Sequence, residues 1–229
     1  MGQTGGLEVE FKLKVPDQAA LDALGRAAGG HPDGVLRQVN HFFDAADGRL
    51  NAAKYVLRLR EENGVFFVTA KGPQTLAAGG TLSSKSEEEL TVSSAAVAGA
   101  LIAGTGTPLK ILEDAAGMTP SRRTLLGAIQ GVLAGAPLVR VGSFENQRTR
   151  WPVTLQGPGL NLPVVLEMDR TTFPGGVTHH EVEVEIPSTA DAAAAQTALM
   201  ALFARAGVTG ESAPSKAKRF FAALAGKPI

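Results

Sequence analysis

Charged residues at every second position, in one segment after another, constrain this chain more than any other feature. Successive side chains of a β-strand point to opposite faces, so residues two apart share a face. Glu8, Glu10 and Lys12 keep that spacing, as do Arg58 and Arg60, then Lys85, Glu87 and Glu89, Arg148 and Arg150, Glu167 and Asp169, and Glu181, Glu183 and Glu185. Between them stand Leu7, Val9, Phe11 and Leu13; Leu57 and Leu59; Leu166 and Met168; Val182, Val184 and Ile186. An antiparallel sheet with its polar face in water accounts for any one of these strands. It accounts less well for the set, because carboxylates dominate some strands and cations others. If about eight such strands close with the charged face inward, they enclose room for a small ligand, with helices covering parts of the apolar outside.

The rest of the pattern supplies those strands. Alternation runs from Leu7 to Val15, and Pro16-Asp17 opens a helix over Gln18 to Ala28 that Gly29-Gly30 ends. An extended stretch, Val35 to Phe43, passes through a polar connection, Asp44 to Lys54, into strands at Tyr55 to Arg60 and Val65 to Lys71. These two flank Asn63-Gly64, a strong hairpin dipeptide. After a Gly-rich loop, Ala77 to Gly80, the spacing predicts a strand near Lys85 to Leu90 and helices over Ser93 to Ala103 and Ser121 to Leu133. Further strands are expected at Leu138 to Phe144, Asn146 to Leu155, Val164 to Arg170 and His179 to Ile186, then helices at Ala190 to Ala206 and Lys216 to Leu224. No repeat or low-complexity linker divides the chain, so residues 1–229, 44% apolar, read as one α+β domain.

Composition narrows the ligand. Acidic and basic residues balance at 22 each, so no overall field steers the chain to DNA or an acidic membrane, and any polyanion must meet a local cluster. The absence of cysteine removes disulfides, thiolate zinc sites and cysteine nucleophiles, and favours oxygen-ligated metals. No apolar run approaches the ~18 residues of a membrane span, and the N-terminus lacks signal-peptide order, so a cytoplasmic monomer without DNA or membrane partners is expected. Buried charges of both signs are costly unless paired, and a polyphosphate with divalent cations would use both. Lys and Arg suit phosphoryl oxygens; clustered Glu and Asp suit Mg²⁺ or Mn²⁺.

These blocks resemble the CYTH superfamily, the triphosphate tunnel metalloenzymes, over nearly the whole chain. Glu8-Val9-Glu10-Phe11-Lys12 is similar to the family's opening Glu-x-Glu-x-Lys, and Asn40 to Asp47 with Val56-Leu57-Arg58-Leu59-Arg60 to its second block. Thr69-Ala70-Lys71-Gly72 and Lys85-Ser86-Glu87-Glu88-Glu89 follow, the latter with Lys where the family has Arg, which keeps charge but loses the bidentate fork. Phe144-Glu145-Asn146-Gln147-Arg148, Leu166-Glu167-Met168-Asp169, Glu181 to Glu185 and Ser215 to Arg219 complete the order. Phe144-Glu145-Asn146 and Gly226-Lys227 look most like the plant and algal tripolyphosphatase branch.

The resemblance implies a closed eight-stranded antiparallel β-barrel and metal-dependent hydrolysis of inorganic triphosphate to phosphate and pyrophosphate. It implies phosphate contacts from Lys12, Arg58, Arg60, Lys71, Lys85, Arg148, Arg150, Lys216 and Arg219, the last basic contact being either Lys216 or Arg219. Glu8, Glu10, Glu167, Asp169, Glu183 and Glu185 would hold metal. Glu10 or Glu183 would accept the proton of the attacking water, and Arg58 would serve the transition state. Other readings are an organic triphosphate (thiamine triphosphate, a nucleotide or an RNA 5′ end), an adenylyl cyclase, or a polyphosphate-binding module without catalysis. His41, His179 and His180 are expected in turns or at the surface, and Trp151 and Tyr55 in packing roles.

Overall fold

The computed structural model describes residues 4–73, 75–76 and 82–229, with side chains over 10–73, 86–188 and 190–229. Strands are β1 (Thr4–Val15), β2 (Gly34–Ala45), β3 (Val56–Glu62), β4 (Val65–Lys71), the short β5 (Thr75–Leu76), β6 (Leu82–Val92), β7 (Leu138–Gly157), β8 (Leu160–Thr172) and β9 (Thr178–Glu185). Helices are α1 (Gln18–Ala28), α2 (Arg49–Ala52), α3 (Ala95–Ile102), α4 (Pro108–Asp114), α5 (Pro120–Leu133), α6 (Ala192–Ala206) and α7 (Lys216–Leu224). The loop expected at Ala77 to Gly80 lies outside the described residues.

Local chemistry sets most of these boundaries. Asn63 and Gly64 both take positive φ, 47° and 83°, which is what a two-residue hairpin between twisted strands requires. Asp17 caps α1, its carboxylate accepting from the Ala20 amide at 2.9 Å. Ser94 and Ser215 cap α3 and α7 in the same way. The Asp44 to Lys54 connection is more ordered than its polarity suggests, because the buried Asp44 carboxylate accepts the amides of Ala45 (2.7 Å), Leu50 and Asn51 (both 2.9 Å). That nucleates the single turn of α2.

Two expected strands, Leu138 to Phe144 and Asn146 to Leu155, are one continuous strand, β7. Its length follows from having two neighbours at different heights: residues 138–150 pair with β2 and residues 145–157 with β8. Glu145 points away from the shared face without breaking the backbone.

The eight long strands form one antiparallel sheet in the order β1-β9-β8-β7-β2-β3-β4-β6, the short β5 pairs antiparallel with β6, and β1 pairs with β6 as well as with β9. Apolar side chains line one face and meet the helices. α1 and α6 cover β1, β8 and β9 through Leu21, Leu24, Leu199, Leu202 and Phe203. α3, α4 and α5 cover β3 and β4 through Leu101, Leu112, Leu126 and Ile129. Each such side chain, removed from water, contributes roughly 1.5–3 kcal/mol. Gly25 lets α1 close on the Trp151 ring, since a Cβ there would lie 2.8 Å from it. α7 packs elsewhere: Phe220 stacks on Phe42 with centroids 4.5 Å apart, beside Phe144 and Phe173. That packing delivers the first turn of α7 to the polar face of the sheet.

Candidate functional site

The polar face is buried, and its registers bring charges together. Lys12 on β1 lies opposite Glu183 on β9, which lies opposite Glu167 on β8; Glu181 lies opposite Asp169, and Asp169 opposite Arg148 on β7. Lys12 Nζ is 2.6 Å from Glu183 and 3.2 Å from Glu10. Arg148 Nη2 lies 2.7 Å from Asp169 and 2.6 Å from Glu183, and Nη1 bonds Glu167. From α7, Lys216 Nζ stands 2.7 Å from Asp169 and 2.9 Å from Glu183, and also pairs with Glu181.

Coulombic partners decide the protonation states. Burial opposes charge on Asp169, yet Arg148 and Lys216 outweigh it and hold the carboxyl below its usual range. Burial opposes charge on Glu183 too, but Lys12, Lys216 and Arg148 hold it well below. Glu167 goes the other way: burial, helped by Glu183 and Asp169 and only partly countered by Arg148, pushes its pKa up. Burial alone would lower Lys12 and Arg148; Glu183 with Glu10, and Asp169 with Glu167, raise them well above their usual values.

A second ionic group lies across the sheet on β3, β4 and β6. Arg60 Nη2 donates to Glu89 at 2.9 Å, Arg58 Nη2 to Thr69 Oγ1 at 3.2 Å, and the Thr69 hydroxyl to Glu89 at 2.7 Å. Lys71 pairs with Glu87 at 2.5 Å. Burial, with Arg60 beside it, lowers the Arg58 pKa. The Nε atoms of Arg58 and Arg60 are buried without a hydrogen-bond partner.

Neutral amides join the two groups. Gln38 Nε2 donates to Glu62 at 2.6 Å, and Asn146 Nδ2 donates to Gln38 Oε1 at 2.8 Å and to Asp169 Oδ1 at 2.9 Å. The Thr171 hydroxyl donates to Asn146 Oδ1 at 2.7 Å.

Of the residues singled out from the sequence, Glu10, Lys12, Arg148, Glu167, Asp169, Glu183 and Lys216 meet in the first group, and Arg58, Arg60 and Lys71 in the second. Arg150 stands apart: its side chain is 41% exposed and meets Asp33 at 3.6 Å. Glu185 lies at the exposed end of β9, in register with Glu10. Arg219 is buried behind the cluster, paired with Glu181 and lying 5.1 Å above the Phe173 ring, so Lys216 is the α7 cation that reaches Asp169 and Glu183. The backbones of Glu8 and Lys85 pair in register, while their side chains lie outside the described residues.

Sequence reasoning missed Glu181 as a ligand candidate although it shares the spacing of Glu183, and it missed Gln38 and Asn146 because uncharged amides leave no periodic mark. The histidine expectation needs correction. His41 and His179 lie within β2 and β9 and are buried, His41 on the helix-covered face with Phe43 and beside Arg140, His179 on the polar face beside Arg219. Burial, then Lys14 and Arg219, push the His179 pKa down to about 4. Trp151 does pack, its indole N–H donating to the Gly29 carbonyl at 2.6 Å.

Asp169, Glu181 and Glu183 each offer a carboxylate oxygen within 4.8 Å of the others. All-oxygen donors of this charge fit a hard divalent cation, and the Lys216 ammonium already stands among them. No helix among the described residues is long and apolar enough to cross a membrane.

Solved structures share this architecture. The putative adenylyl cyclase of Hippeastrum, which has a dominant triphosphatase activity, superposes with a TM-score of 0.75 at 24% identity, covering 97% of each chain. A putative adenylate cyclase of Bacillus halodurans gives 0.66 at 20% identity, over 96% of this chain and 100% of that one. The PH1012 protein of Pyrococcus horikoshii gives 0.52 at 14% identity, over 90% and 96%. Comparison with curated proteins finds no match. The CYTH domain model matches residues 6–221, nearly the full length, and the chain belongs to the CYTH domain family.

Proposed function

We propose that this chain is a single triphosphate tunnel domain that hydrolyses inorganic triphosphate with Mg²⁺ or Mn²⁺. Pairing of β1 with both β9 and β6 supports a sheet closed into a barrel around the polar face. The observation that carries the reading is the buried guanidinium pair on the polar face shared with the carboxylate cluster, where Arg58 Nε has no hydrogen-bond partner and Arg60 Nε has only Glu62, 3.7 Å away and beyond hydrogen-bond reach. A buried donor without an acceptor is costly, and a phosphoryl group supplies acceptors to both guanidinium groups at once. The triphosphatase activity of the Hippeastrum relative agrees in kind.

In this reading Arg58, Arg60, Lys71, Lys12 and Arg148 hold the phosphate chain and neutralise its oxygens, with Lys216 on the carboxylate side. Asp169, Glu181 and Glu183, with Glu10 nearby, hold the metal. A bound divalent cation supplies positive charge to the phosphoryl oxygens and acidifies water. Water attacks the terminal phosphorus in line; the new P–O bond forms as the bridging P–O bond breaks, leaving phosphate and pyrophosphate. Glu183 is engaged by Lys12, Arg148 and Lys216, so in this reading Glu10 of the two candidates accepts the proton. Glu8, Lys85, Arg150, Glu185 and Arg219 complete the proposed set.

Phosphate release from inorganic triphosphate, measured with Mg²⁺ or Mn²⁺ and again with excess chelator, tests this. Release that the chelator abolishes is expected, with slower turnover of ATP and thiamine triphosphate. Pyrophosphate and cyclic AMP as the main products from ATP, or no release at all, would reject it.

A further inference from the structure

The amide chain across the polar face is bounded at both ends by carboxylates, and this fixes every orientation within it. Glu62 only accepts, so Gln38 turns its Nε2 toward Glu62 and its Oε1 toward β7. Asp169 likewise only accepts when ionised, so Asn146 turns Nδ2 toward it and uses that nitrogen's second proton on Gln38 Oε1. The Asn146 carbonyl is then left for the Thr171 hydroxyl. Gln38, Asn146, Asp169 and Thr171 are each at most 4% exposed, so water does not compete for these bonds.

The result is asymmetry at Asp169. Its Oδ1 accepts from Asn146 at 2.9 Å and from Arg148 Nε at 2.8 Å. Its Oδ2 faces Arg148 Nη2 and Lys216 Nζ, each at 2.7 Å, and that same ammonium meets Glu181 and Glu183. Oδ2 is therefore the oxygen turned toward the other two carboxylates. A cation in the place of Asn146 would add to the charge already neutralising Asp169, and a carboxylate would repel it; an amide holds Oδ1 without doing either.

We propose that Asn146 is a positioning residue for a divalent cation at Asp169, Glu181 and Glu183: it pins Asp169 Oδ1 and so presents Oδ2 to the metal, with Thr171 holding the amide in the required orientation. This rests on the metal-dependent reading above. Groups that orient a metal's ligands from behind carry about 10–100-fold in metal affinity.

The test is Mn²⁺ binding by the full chain without substrate, followed by the electron paramagnetic resonance of free Mn²⁺, alongside thermal unfolding. Asn146→Leu, similar in size but without a donor, is expected to weaken Mn²⁺ binding about 10–100-fold. Thr171→Val is expected to weaken it less, in the same direction. Either variant unfolding at a lower temperature while the folded protein binds Mn²⁺ with wild-type affinity overturns the proposal, since that is the mark of a merely structural bond. Should Asn146→Leu fail to fold, Thr171→Val decides alone. A wild-type chain that binds no Mn²⁺ sinks the metal-dependent reading itself, whereas wild-type binding with both variants unimpaired sinks only the positioning role.

Discussion

At Glu183 one carboxylate meets three cations, Lys12, Arg148 and Lys216, within 2.9 Å. Removing its charge while keeping its shape separates binding from turnover. In Glu183→Gln the basic set is intact, so triphosphate should still bind, while turnover falls by about two to three orders of magnitude because a contributor to transition-state charge balance is gone. Calorimetric binding beside phosphate release checks this, and unchanged turnover would count against any catalytic part for Glu183. Lys216 invites the converse experiment. Its ammonium stands among Asp169, Glu181 and Glu183, where a divalent cation would be held, so it competes with the metal in the free chain. Lys216→Met should bind Mn²⁺ roughly tenfold more tightly, about 1.4 kcal/mol, yet show a raised KM for triphosphate through the lost phosphate contact. Weaker Mn²⁺ binding in that variant would show that the lysine supports the carboxylates and does not occupy their centre.

At the scale of the element, β6 shows how a buried contact fixes which face turns inward. Its run Ser86-Glu87-Glu88-Glu89-Leu90 has three consecutive carboxylates, so hydrophobic alternation does not say which of them faces in, and a one-residue slip would exchange the faces. Arg122, from the first turn of α5, settles it. It meets Glu88 at 3.1 Å with both side chains 1% exposed, on the helix-covered side, leaving Glu87 for Lys71 and Glu89 for Arg60. Arg122→Met strands a buried carboxylate and should cost roughly 3–5 kcal/mol. The double variant Arg122→Met with Glu88→Leu should recover most of that stability, because a buried ion pair replaced by apolar groups is often neutral or stabilising. Denaturant unfolding of wild type, single and double variants measures it; a double variant as unstable as the single would refute the pairing as the cause. The same element shows what a sequence conceals. The hairpin at Asn63-Gly64 is legible because two residues must take positive φ, and α1 because Asp17 caps an apolar stripe. The unbroken β7 is not legible, since its length comes from pairing with β2 and β8 at different heights, and neither is the Arg122 contact, which joins residues 34 apart.

For the whole molecule, period-two charge was enough to foresee a sheet with one ionic face, because facing is a local property of strands. It could not foresee which charges touch, because that depends on register between distant strands, which is why Glu181 was seen on the charged face but not as a metal-ligand candidate, Asn146 was given no role, and Arg150 did not turn out to be central. The assembled set predicts how stability varies with pH. Asp169 and Glu183 titrate below their usual values of 3.8 and 4.5 once folded, so the stability they provide is present above that range and is lost as pH falls through the folded values. Glu167, raised, works in the opposite direction and softens the loss. Lys12 and Lys216 titrate above 10.5 when folded, so their contribution is complete below that pH and declines as pH rises through the folded values. His179 adds an earlier step on the acid side. Held near 4 against an ordinary 6.5, its ring stays neutral in the fold while the unfolded chain takes up a proton, so stability falls as pH drops from 6.5 to 4, and His41 and His180, lowered by burial too, act in the same direction. The geometry at His179 agrees, because Nδ1 lies 3.0 Å from the Arg219 guanidinium and must accept. Urea midpoints collected from pH 8 down to 3 should therefore decline in two overlapping stages, and His179→Gln should reduce the first, which His41 and His180 share, while leaving the second. Proton NMR of the His179 ring decides between causes: a titration midpoint near 6.5 would remove the histidine from the acid response and leave the first stage to other groups.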